Sequence, residues 1–99
     1  MAAAAEAQEN FGIANAIRES DAAGALRQLA AALDGGAAPF FVMGQIRTAA
    51  ERLPTSRVVA AIEALFRTDL ALKSSGGEPR ILLERLVVEL CGERGRGPL

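Results

Sequence analysis

The 99-residue chain contains no histidine, no tryptophan and no tyrosine, and only one cysteine, Cys91. Without histidine it lacks the side chain most often used for general acid–base work and a frequent metal ligand. A single cysteine excludes an intrachain disulfide and a cysteine-based structural zinc site, and it fits a reducing compartment. Charge of neither sign predominates. Eleven Lys and Arg face twelve Asp and Glu, a net −1, so no positive surplus is available to neutralise a phosphate backbone. Nucleic acid is therefore not expected as a direct partner. No run approaches the roughly 18 apolar residues needed to span a bilayer. The opening MAAAAEAQ has neither the basic start nor the leucine-rich centre of a secretory leader. The chain is expected to be soluble and cytoplasmic, with no membrane partner. No stretch of useful length alternates with the period of a strand, and no internal repeat recurs.

Alanine, leucine and a strong helical period are what the sequence does have. Hydrophobic residues make up 51% of the chain with only four phenylalanines among them, so close packing of helices on small side chains is expected. One modest core is all that this length supports. The predicted fold class is all-α, a bundle of about five helices over residues 10–92, with a flexible leader at 1–9 and a disordered tail at 93–99.

Local signals place the helices. Phe11, Ile13, Ala14 and Ile17 suit a short first helix, and Asp21 is a candidate N-cap for the next. That second helix, Ala22 to Asp34, sets Leu26, Leu29, Ala30 and Leu33 on one face before Gly35-Gly36 stops it. A third begins at Pro39, with Phe40, Met43, Ile46, Ala50 and Leu53 on a common stripe weakened slightly by Gly44. Pro54 breaks the chain, and Thr55 or Ser56 can cap a long fourth helix from about Ser56 to Lys73. A fifth is predicted from near Pro79 to a stop at Gly92.

Three charges interrupt the apolar positions of the last two helices. With about 100° per residue and Ile62 at zero, Val58, Leu65 and Phe66 fall within about 60° of the stripe's centre, and so do Asp69 and Lys73. Glu84 falls between Val88 and Cys91 on the fifth helix. Two readings are open. Either Lys73 reaches Asp69 and Glu84 across the turn and fixes how the helices meet, or the charges are half-solvated groups at the bundle's rim. The intervening Lys-Ser-Ser-Gly-Gly is not a phosphate loop. A Walker-type loop runs from strand through glycines to Lys-Ser/Thr opening a helix, whereas here Lys73-Ser74 closes one. No cofactor, metal or catalytic function is expected, because no nucleophile is paired with a base and no ligand spacing occurs. A helix-turn-helix reading fails for want of a basic recognition helix, since Glu51 offsets Arg47 and Arg52.

The fifth helix is apolar nearly all round. Leu82, Leu83, Leu86, Val87 and Leu90 cover one arc, Ile81, Val88 and Cys91 occupy the opposite side, and only Arg85 and Glu89 form a polar wedge. Such a helix is either central in the bundle or packs one flank on another subunit. The second case makes Ile81, Leu86, Val87, Leu90 and Cys91 interface candidates and would allow the isolated domain to self-associate. Cys91 itself reads as a small apolar residue.

The stretch LFRTDLALKSSGGEPRILLERLVVELC, with Thr-Asp-x-x-Leu-Lys, a polar turn, Leu-Glu-x-Leu and a closing Leu-Cys, resembles the C-terminal helical domain of the bacterial DNA polymerase III delta subunit. The upstream NFGIANAIRESDAAGALRQLAAALDGGAAPFFVMGQIR is similar to that domain's opening, so the resemblance covers about Asn10 to Glu93. It implies a non-enzymatic bundle of the kind that follows an AAA+ module. In the family this piece forms the collar that holds delta beside the gamma/tau and delta-prime subunits in the pentameric ring of the clamp loader. Clamp opening belongs to the AAA+ module, whose residues have no counterparts in this sequence. Asp69, Lys73, Glu84, Leu86 and Cys91 match the family's C-terminal pattern. Family members usually carry a further helical segment after the third helix, whereas here RTAAERLPTSRVVAA passes directly to the fourth. The alternative expectation is a generic helical protein–protein interaction adaptor.

Overall fold

The computed structural model describes residues 12–74 and 77–96, and among these the chain forms five helices and no strand. They are α1 (12–18), α2 (Ala22–Asp34), α3 (Pro39–Glu51), α4 (Thr55–Lys73) and α5 (Pro79–Arg96). The protein is an all-α bundle. The predicted leader 1–9, Phe11 of the first stripe and the last three residues lie outside the described residues.

Side chains and glycines fix where the first helices stop and start. At the end of α1 the Asp21 N–H donates to Ala16 O (2.8 Å) and the Ser20 N–H to Ile17 O (3.0 Å), with Ser20 in the left-handed region at φ 59°. This is a Schellman turn, although serine rather than glycine occupies the left-handed position. The next residue, Asp21, then caps α2: its carboxylate accepts the Gly24 N–H at 2.9 Å, as the sequence predicts. A Cβ at Gly24 would collide with that carboxylate as it is placed, so a larger residue there would make the Asp21 side chain shift. The same terminator recurs at the other end of α2, where the Ala37 N–H reaches Ala32 O and Gly36 supplies a φ of 99°.

Proline opens the remaining helices. Pro39 is the first residue of α3, where its missing N–H costs nothing. Pro54 stands at the N-cap of α4, and its carbonyl accepts from Arg57 and Val58 N–H. The expected side-chain cap from Thr55 or Ser56 is not made, because the helix begins at Thr55 itself. At the other end of the chain α5 runs through Gly92 to Arg96 rather than stopping at the glycine. The two glycines there, Gly92 and Gly95, cost only about 1 kcal/mol each relative to alanine, and the Glu and Arg between them are good helix formers. Residues 93–96, expected in a disordered tail, therefore belong to the last turn.

The core lies around α5, which packs against α2, α3 and α4. Ile13, Ile17, Leu29, Val42, Ile46, Leu83, Leu86 and Val87 are its largest fully buried residues, joined by Cys91. Of the two placements open for the fifth helix, the central one is observed.

Candidate interaction surface

α4 turns its smaller side chains inward. Ala61, Ala64, Leu65 and Thr68 are its buried residues, and the Thr68 hydroxyl is satisfied by donating to Ala64 O at 2.8 Å. The larger apolar residues point away: Val59 is 64% exposed, Ile62 43%, Phe66 64% and Leu70 51%. The predicted stripe centred on Ile62 is thus corrected. Its members Ile62 and Phe66 face solvent, and the inner face lies roughly 100° away, on the alanine side. Small residues let the axes of neighbouring helices come close, so the smaller face is the one that closes the bundle. The outward row runs for three turns, about 16 Å along the helix. Phe40 and Phe41 at the start of α3 are also exposed, so Phe40 leaves the predicted α3 stripe while Met43, Ile46 and Ala50 keep it; Leu53 is buried too, but beyond the end of the helix at Glu51.

This placement settles the three charges. Asp69 and Lys73 pair with each other at 3.0 Å at the edge of the outward row, the lysine side chain 63% exposed. Glu84 does not meet Lys73. It lies on the flank of α5 toward α2, where Arg80 contacts it at 3.4 Å and reaches Asp34 at 3.0 Å. The predicted link across the turn is therefore replaced by two separate rim pairs, and the strap from α5 runs to α2 instead. α4 and α5 are joined at the surface by Arg67 and Glu89, 2.8 Å apart.

The interface candidates on α5 divide. Leu86, Val87, Leu90 and Cys91 are buried in the core and cannot form a surface without unfolding the bundle. Ile81 is exposed, together with Val88, so the outward flank of α5 is a short pair of residues rather than a broad arc. Cys91 sits on the core side, not beside Ile81 and Val88 as the wheel suggests. Its thiol lies 3.9 Å from Ala16 O, and burial pushes its pKa up, partly countered by the charge of Arg57.

Arg57 is the functional-looking residue that sequence reasoning missed. From the first turn of α4 its guanidinium donates to Leu90 O on α5 (2.9 Å) and to the Ile17 and Arg18 carbonyls that end α1 (3.3 and 3.4 Å). The end of α1 carries a negative partial charge that an arginine fork suits, while Leu90 O, inside α5, takes the guanidinium as a further donor. The available signal was an arginine one turn before Ala60 and Ala61, with no acidic neighbour to pair it along the helix. Arg57 also borders an open cleft of about 320 Å³ between α4 and α5, floored by Ala60, Ala61 and Ala64. A second cleft, about 450 Å³, lies between α1 and α3 beside Arg18 and Arg52. Among the described residues no group of three or more Asp, Glu or Cys is placed to hold a metal ion. Among the same residues no helix is long and apolar enough to cross a membrane.

No protein-family model, curated protein or solved structure matches this chain.

Proposed function

We propose that this chain is a non-catalytic oligomerisation domain of a DNA polymerase III delta subunit, holding delta in the cytoplasmic clamp-loader ring that loads the sliding clamp during DNA replication. The observation that carries the reading is the α4–α5 hairpin. It is built from the stretch that resembles the delta C-terminal domain, and it presents Val59, Ile62, Phe66 and Leu70 outward. A contiguous apolar row of this kind is how a helical domain offers itself to a neighbour. The row on its own supports the coarser reading of a helical protein–protein interaction adaptor.

Mixing the purified chain with clamp-loader gamma/tau and delta-prime subunits, followed by native mass spectrometry, tests the assignment. A complex containing all three, weakened by Phe66→Glu, is the expected result. A folded chain that joins neither subunit leaves only the adaptor reading standing.

A further inference from the structure

The cleft between α1 and α3 is basic at its rim and apolar on its floor. Ala14 and Arg18 stand one turn apart on α1, while Thr48, Ala49 and Arg52 follow at helical spacing along α3, so each helix turns one face toward the same space of about 450 Å³. That volume lies in the range of small-ligand sites. Ala49 and Leu53 are buried and Ala14 packs against the core, which gives the cleft a fixed floor. Its charged lining residues among those described are Arg18 and Arg52, both exposed; Glu19 and Glu51, their neighbours in sequence, do not line it. The way the two helices end leaves these guanidiniums available. Arg57 already donates to the Ile17 and Arg18 carbonyls, and the Ala49 and Ala50 carbonyls accept the Arg52 and Leu53 N–H groups. None of the ion pairs among the described residues includes Arg18 or Arg52. Arg18 gives one nitrogen to Asn15 Oδ1 at 2.6 Å, on the wall of the cleft, and keeps further N–H groups to offer.

We propose that this cleft binds a small organic anion, with an apolar body laid on Ala14, Ala49 and Leu53 and a carboxylate or phosphate group held by Arg18 and Arg52. A guanidinium fork fits either headgroup through paired N–H donors. The apolar floor calls for more than an inorganic ion, and with two arginines and no acid on the lining the rim favours a negative charge over a neutral or cationic group. Because both arginines are exposed, salt screens them and the affinity is modest. This inference goes beyond the assignment above and can fail independently of it, since it is read from the purified chain without other subunits.

Titrating the purified chain with naphthoate and with naphthyl phosphate, followed by amide chemical shifts, tests it. Naphthylmethanol and inorganic phosphate each supply half of the ligand alone. At least one naphthyl anion should saturate with a dissociation constant of about 1 mM or tighter, and each half alone should bind at least about tenfold more weakly. The shifts should cluster at residues 14–18 and 45–53. Arg18→Gln and Arg52→Gln should each weaken binding by about tenfold or more while helical circular dichroism is kept, the usual loss when a hydrogen bond to a charged group is removed. Arg47→Gln removes an equal charge from α3 outside the cleft and should leave binding unchanged. Failure of both anions to saturate, equal binding of naphthylmethanol or inorganic phosphate, a loss in Arg47→Gln as large as in the other two variants, or shifts centred on Ile62 and Phe66 would each overturn the proposal.

Discussion

α4 and α5 lie side by side and are both apolar on two sides, yet they solve burial in opposite ways. α5 sends its larger residues inward, with Leu83, Leu86, Val87 and Leu90 buried, and leaves Ile81 and Val88 outside. α4 sends in Ala61, Ala64 and Thr68 with a single large residue, Leu65, and leaves Val59, Ile62, Phe66 and Leu70 outside. The difference follows from position. A central helix is surrounded by partners at several distances and needs volume to fill the space between them. A peripheral helix that lies close on its neighbours needs a low surface, and alanine provides it. Hydrophobicity says that a face can be buried; size and position decide which face is.

The sharpest way to break this comparison is to truncate a large residue on each helix. Leu86→Ala in α5 should cost about 2–5 kcal/mol in urea unfolding, because it opens a cavity in the centre of the core. Ile62→Ala in α4 should change the same midpoint by under about 0.5 kcal/mol, as at an ordinary surface site. Equal losses would mean that the outward face of α4 is part of the core after all.

Enlarging the small face is the converse. Ala64→Leu should destabilise by about 1–3 kcal/mol, since the three added carbons have no space between α4 and its neighbours. A neutral result in thermal melts would show that close approach is not what selects alanine there.

The two helices also differ in what alkaline pH does to them. The Cys91 thiol is held above its usual pKa by burial, so the folded state favours the protonated form. That preference contributes fully below the unfolded thiol's pKa and is lost as pH rises through it toward the raised folded value. Unfolding midpoints of the parent should therefore fall across the alkaline range by more than those of Cys91→Ala. Parallel curves would remove the thiol as the cause.

The smallest effect is expected at the charges on α4. Asp69 and Lys73 form a pair four residues apart, the lysine exposed and the acid half-buried nearer the N-terminus, an arrangement worth about 0.3–0.5 kcal/mol. Lys73→Met should move the melting temperature by no more than a degree or two. A loss of several kcal/mol would restore a buried role for this lysine.

Much of the fold was legible in residues whose effect is local. Asp21 as a cap, Gly35-Gly36 as a stop and Pro39 and Pro79 as starts all act within four residues of themselves, and the structure places them so. The buried run of α5 was legible because one arc was dense with large residues. The face of α4 was not, since centring the wheel on Ile62 took the bulkiest side for the inner one. The expected Lys73–Glu84 link failed for a similar reason: a wheel gives an angle on one helix but not the direction in which a neighbour lies. Arg80 with Asp34 and Arg57 with α1 join residues far apart in sequence, and no spacing along a single helix announces such pairs.

Arg57 carries a consequence for kinetics. The three carbonyls it binds belong to chain segments 33 to 40 residues away, so its hydrogen bonds exist only when α1, α4 and α5 are already docked. Contacts that form last on the way in are the first released on the way out, and they act on the rate of unfolding rather than of folding. Arg57→Met should steepen escape from the native state in stopped-flow unfolding while leaving the refolding limb almost where it was. In that sense a single guanidinium acts as a latch that sets how long the assembled bundle lasts, more than how quickly it is reached.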